Sequence, residues 1–178
     1  TSSYTQSSSS TAFVNTNAST TPSGTTWQYS CYNYYYYSSS QYRLQSYYYY
    51  IPTSLKNVTV TGTKVSDYAF FNCTGFTNVT LNDTVTSIGT NAFKNCKKLK
   101  KVTIGTNVNS IGKRTFYGCS KLRTIKVKTS KLTGSRVGKQ AFKGLNKKAV
   151  IKVPKKQLKA YKRLFRVKGV GKKVTIKK

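Results

Sequence analysis

The sequence predicts an α/β-type repeat solenoid of short parallel strands, entered through an irregular Tyr/Ser-rich segment and closed by a helix-plus-strand cap. Two observations carry this. Cys73, Cys96 and Cys119 recur every 23 residues, and Phe70, Phe93 and Phe116 keep the same step. Each unit also ends in a V-x-I step, seen in the ladder Val58/Val60, Val79/Leu81, Val102/Ile104, Ile125/Val127 and Ile151/Val153. Period two with β-branched residues reads as a short strand. A coil of this length cannot bury its own apolar side, whereas stacked coils bury it against one another.

Residues 1–50 precede the repeat and are a different material. They hold 12 of the 15 tyrosines, with Ser and Thr filling most of the rest. Runs such as YNYYYY and SYYYY have neither helical nor clean strand periodicity. They predict short irregular strands and turns partly packed on the first coil. The composition also suits aggregation or an exposed stacking surface, and chains stacking through this segment into a fibre are the alternative it raises.

The repeat occupies residues 51–153, about four to five coils. Aligned on Phe and Cys, its units read YAFFNCTGFTNVTL, NAFKNCKKLKKVTI and RTFYGCSKLRTIKV. A fourth, QAFKGLNKKAVIKV, follows after 26 residues with Leu145 in the Cys slot, so three extra residues fall around Leu132 to Ser135. Val85-x-x-Ile88-Gly89, Val108-x-x-Ile111-Gly112 and Val137-Gly138 form the return side. Their glycines stand where the chain must turn into the next A-F segment.

The pattern V-x-x-I-G-x-x-A-F-x-x-C-x-x-L, met at Val85–Leu99 and Val108–Leu122 with Thr115 in the Ala slot, resembles the BspA-like class of bacterial cell-surface leucine-rich-repeat proteins. The resemblance covers residues 51–153. It implies that residues 1–50 are an insert between repeat blocks and that the chain is the C-terminal portion of a longer, clostridial-type surface protein. It also implies a concave strand face that carries ligand contacts and a role in adhesion. The lack of Met and of a signal peptide at Thr1 points the same way, to a mature product or a fragment.

Residues 154–178 read as the cap. Pro154 stands just before a helical pattern, a tolerated place for proline. Leu158, Tyr161, Leu164 and Phe165 fall on one face at spacings of three and four. Gly169 is placed to end the helix, and Val174 and Ile176 suggest a last strand. An open solenoid end exposes core and strand edges, so a cover is required there.

The chain carries 32 basic and two acidic residues, no His, and a net charge of +30. Residues 1–93 hold three bases and two acids, while residues 94–178 hold the other 29 bases and no acid. With Asp67 and Asp83 as the whole acidic inventory, acid–base catalysis and hard-cation binding lack their residues. No nucleophile motif or phosphate loop appears, so no enzyme and no cofactor is expected. Cys73, Cys96 and Cys119 form one inward column with Phe70, Phe93, Phe116 and Phe142. They read as packing thiols; a metal site would want His or a C-x-x-C pair. No apolar run is long enough for a membrane span.

Lysine solvates outward solenoid positions, but solvation alone predicts mixed signs. A one-sign surface repels itself, so an anionic counterpart is expected. Lys exceeds Arg 26 to 6, which favours diffuse attraction over bidentate recognition. Phe93, Phe116 and Phe142 belong to core slots and are not free to stack bases, so sequence-specific nucleic-acid binding is not expected, while salt-sensitive non-specific binding is expected in vitro. The candidate face comprises Lys100, Lys101, Thr103, Arg123, Lys126 and Lys152. It changes from Thr and Asn to cationic along the stack. A surface or matrix protein, a glycan or an anionic polymer is the expected partner, and no small-molecule pocket is expected.

Overall fold

The computed structural model describes residues 56–178 in full and residues 3–6, 27–38 and 41–52 as backbone strands. The five V-x-I steps become the middle strands of a seven-stranded parallel sheet in the order β1 (Ser3–Gln6), β4 (Asn57–Val60), β6 (Asn78–Leu81), β8 (Lys101–Ile104), β10 (Thr124–Val127), β11 (Val150–Lys152) and β12 (Thr175–Lys177). The return side forms a second parallel sheet of β5 (Lys64–Val65), β7 (Ser87–Ile88) and β9 (Ser110–Ile111), which Val137 extends by a bridge to Ile111. The A-F segments between the sheets are turns.

The N-terminal region departs from the expected short irregular strands. β2 (Trp27–Ser38) and β3 (Gln41–Pro52) pair antiparallel over twelve residues each. β1 pairs parallel with β4, Tyr4 beside Val58 and Gln6 beside Val60, and so takes the position of a preceding coil's strand. The hairpin therefore lies in chain order between two neighbouring strands of one sheet.

Backbone bonds couple the turns coil to coil. The amides of Phe70, Phe93, Phe116 and Phe142 donate to the carbonyls of Ala92, Thr115, Ala141 and Lys168. Two positions per coil are left-handed. One precedes the A-F step (Tyr68, Asn91, Arg114, Gln140), and the other precedes the Cys slot (Asn72, Asn95, Gly118, Gly144). Asn and Gly adopt this conformation at least cost, which accounts for their place before the Cys slot. The return-side glycines have another cause. Gly89, Gly112 and Gly138 do not have positive φ; a Cβ on each would come within 2.4 Å of a neighbouring coil. They are needed for close stacking rather than for a turn.

The core is a column of rings. Phe70 stacks on Phe93 at 5.0 Å, Phe93 on Phe116 at 5.4 Å, and Phe116 on Phe142 at 5.7 Å. Phe165 of the cap then meets Phe142 edge-on at 5.0 Å. Thr115 fills its Ala slot without strain, its buried hydroxyl within 2.8 Å of the Gly112 carbonyl and 2.9 Å of that of Gly89.

The cap is one 3-10 turn at Lys155–Gln157 followed by α1 (Leu158–Val167). Tyr161 and Phe165 are buried, with Leu158 and Leu164 packed against the core. The Tyr161 hydroxyl donates to the Thr129 carbonyl and accepts from the Leu132 amide, both at 3.1 Å. It thus anchors the longer connection that the 26-residue step creates. Arg166 donates to the carbonyls of Gly171 and Val174, which holds the turn into β12. Through β12 the cap adds a strand to the main sheet, pairing Lys177 with Lys152.

Candidate ligand-binding face

Alternation along each strand of the main sheet sends one set of side chains into the core and the other outward. Val58, Val79, Val102, Ile125 and Ile151 are buried partners across the sheet. The outward set falls into rows fixed by the same register. One row runs Thr59, Thr80, Thr103, Lys126, Lys152 and Lys177. A second runs Asn57, Asn78, Lys101 and Thr124. Just before the strands, the Arg123 amide donates to the Lys100 carbonyl at 3.0 Å, which sets these two residues on neighbouring coils. The register thus places Lys101, Thr103, Lys126 and Lys152 at outward strand positions, with Lys100 and Arg123 immediately before β8 and β10. Thr103 is half-buried and the five cations are exposed.

The neutral end of this face is ordered by hydrogen bonds. The Asn78 amide donates to Asn57 Oδ1 at 2.7 Å. Where the sequence predicts no pocket, an open depression of about 320 Å³ lies here, lined by Asn57, Thr59, Asn78, Thr80, Lys101 and Thr103. Its walls are amide, hydroxyl and ammonium groups, which suit a hydroxylated ligand better than an apolar one. A larger groove of about 440 Å³ runs over β5, β7 and β9, but its floor is the close-packed glycine backbone and it presents only Lys64 and Arg136 as cations.

Sequence reasoning missed Lys177, because the last strand could not be registered before its partner was known. The signal was the T-I-K of residues 175–177, which repeats the alternation of V-I-K at residues 150–152.

The two acids bond to the backbone of the following coil, and Asp83 lies beside Thr80 and Lys128 at the edge of the face. Asp67 Oδ1 accepts from the Thr90 amide at 2.7 Å, and Asp83 Oδ1 from the Thr106 amide at 2.8 Å. Each ties one coil to the next. The Thr106 amide, with a smaller contribution from Lys128, holds the exposed Asp83 carboxyl below its usual range.

Cys73, Cys96 and Cys119 are buried and unbridged. Cys96 Sγ lies 3.0 Å from the Phe70 carbonyl and Cys119 Sγ 3.1 Å from that of Phe93, so each thiol donates to the coil before it. Burial pushes the Cys73 thiol up to about 12 from its usual 9.0, and burial likewise raises Cys96. Among the described residues no group of His, Cys, Asp or Glu is arranged to hold a metal. Cys31 lies outside the residues whose side chains are described.

The thiol shifts have a pH consequence. The folded chain keeps protons that the unfolded chain releases, so this contribution is complete below about pH 9 and is lost as pH rises toward about 12. The unfolding free energy is expected to fall across this window, at roughly 1.4 kcal/mol per pH unit for Cys73. Replacing Cys73 and Cys96 by Ala should flatten that slope. In a Cys31→Ser background, the remaining thiols should resist an aromatic disulfide reagent at pH 8 until denaturant is added. Prompt labelling of the native chain would contradict the packing described.

The family described as BspA type leucine-rich-repeat region matches residues 42–169, in six copies. The chain belongs to this family. A leucine-rich-repeat protein from Bacteroides ovatus, solved at 1.19 Å, is similar at 30% identity with a TM-score of 0.55. The match covers 71% of this chain and 31% of that one. A leucine-rich-repeat protein of Treponema pallidum is similar at 20% identity and a TM-score of 0.36, over 55% of this chain and 58% of that one. No curated protein sequence matches. BspA-type repeats are typically non-catalytic and serve as protein-binding modules. Among the described residues no helix is long and apolar enough to cross a membrane.

Proposed function

We propose that this BspA-type chain is a non-catalytic extracellular binding module of a bacterial surface protein. It attaches to surface proteins, glycans or anionic polymers through the outward face of its main sheet. One observation carries the reading. The row from Thr59 to Lys152 is held in register by five paired strands and turns from neutral hydroxyl to exposed ammonium along the stack. Exposed charge without counter-charge costs self-repulsion, which an anionic partner relieves. Twenty-nine bases and no acid in residues 94–178 leave that relief to a partner. Surface or extracellular placement accords with the family's typical setting.

Retention of the chain on plates coated with extracellular matrix tests this. The combined variant Lys100→Gln, Lys101→Gln, Arg123→Gln and Lys126→Gln is expected to bind about tenfold more weakly and with a flatter salt dependence. Unchanged retention would place the contact elsewhere on the molecule.

A further inference from the structure

Resting on that reading, we infer that the ligand is a linear anionic polysaccharide lying across the strands, along the row from Thr59 to Lys177, with about one sugar ring per coil.

The spacing argues for this first. Register partners on adjacent strands stand ~4.8 Å apart, and the backbone ladder prevents them from drifting. Lys126, Lys152 and Lys177 are three successive partners, all exposed. Like charges directly opposite across strands destabilise a sheet. A polymer with an anion at the same repeat removes that repulsion at every step. A pyranose ring advances a polysaccharide by close to one strand spacing, and the long exposed lysine stems let ammonium groups on successive coils follow sulfates or carboxylates that alternate from side to side of the chain. An acidic peptide is flexible and would have to be ordered on the row, whereas a chain of linked rings is already stiff and extended, so its binding costs less entropy.

The neutral half argues for the same ligand. Thr59, Thr80 and Thr103 continue the lysine row, flanked by the Asn57–Asn78 amide pair. Hydroxyls and amides bond to sugar hydroxyls, and the depression of about 320 Å³ lies among them. Nucleic acid would want free aromatic faces among the cations for its bases, but the outward positions of the row are Thr and Lys, and the half-exposed Phe71 and Tyr117 lie in the turns beside Lys94. A membrane surface would want exposed apolar wedges. Val167 is the one large exposed apolar side chain among the described residues.

Calorimetric titration of the intact chain with a heparin hexasaccharide tests the row. Lys126→Gln, Lys152→Gln and Lys177→Gln combined are expected to cost tenfold or more in affinity and to lower the salt slope by about two to three. A control combining Lys156→Gln, Lys159→Gln and Lys162→Gln removes the same charge from exposed positions around α1 and should cost less than threefold. Circular dichroism checks that both variants fold. Equal losses in the two variants would overturn the row. Row-dependent binding of a single-stranded homopolymer RNA as tight as that of heparin would overturn the polysaccharide. Matrix plates treated with heparin lyase separate the two levels. Retention unchanged by the enzyme overturns this inference and leaves the binding module standing, whereas no retention on either plate removes both.

Discussion

Phe116→Ala is expected to destabilise the chain by ~3–5 kcal/mol, the usual cost of truncating a buried ring. Phe116 is fully buried between two parallel neighbours, Phe93 at 5.4 Å and 6°, and Phe142 at 5.7 Å and 20°. Each ring pair contributes about 0.5–1.5 kcal/mol beyond burial, and one substitution removes both. Its amide carries a bond to the Ala141 carbonyl at 2.8 Å, so the backbone there resists collapse into the cavity. Neighbour-to-neighbour coupling holds a solenoid together. Losing the central ring should therefore also separate the coils before Phe116 from those after it. Urea unfolding followed by tyrosine fluorescence and by far-ultraviolet dichroism should show two transitions in place of one. A single transition moved by less than about 1 kcal/mol would mean that the ring column does not couple the coils.

The parts of the fold that follow from period were readable in advance. The 23-residue step of Phe and Cys fixed the column of rings and thiols, and the V-x-I steps fixed the strands. Both are one-residue-per-coil patterns that stacking turns directly into contacts. What depended on partners in space was hidden. Residues 27–38 and 41–52 show no apolar–polar alternation, because tyrosine runs hide it, yet they pair antiparallel over their whole length. Lys177 belonged to the face only once β12 had a register. The left-handed residues Tyr68, Arg114 and Gln140 carry no sequence mark, because none is a residue type that favours that conformation. The return-side glycines stand out in the sequence, but a turn is not their reason. Their dihedrals are ordinary, and their reason lies in the coil next door.

That cause makes Gly112→Ala the sharpest test of the stacking. A Cβ at Gly112 would lie 2.4 Å from the Thr90 amide nitrogen and 2.5 Å from the Gly89 carbonyl carbon. Both are backbone atoms, so no side chain can swing aside. Relief would need the two coils to part by about an ångström where three bonds hold them together. The Gly112 amide donates to the Ile88 carbonyl at 2.7 Å, the Asn91 amide to the Lys113 carbonyl at 2.9 Å, and the buried Thr115 hydroxyl to the Gly89 carbonyl at 2.9 Å. A cost of ~3 kcal/mol or more is expected, at the upper end for overpacking. The control is Gly134→Ala. That glycine has nothing within 4 Å of its Cβ position, and a methyl there restricts only the unfolded chain, so stability should hold or rise by about 0.4–1 kcal/mol. Thermal and urea unfolding of the two variants side by side decide the matter. If Gly112→Ala behaves like Gly134→Ala, the coils tolerate a wider spacing than the glycine column implies, and the fixed charge spacing along the lysine row loses its rigid support.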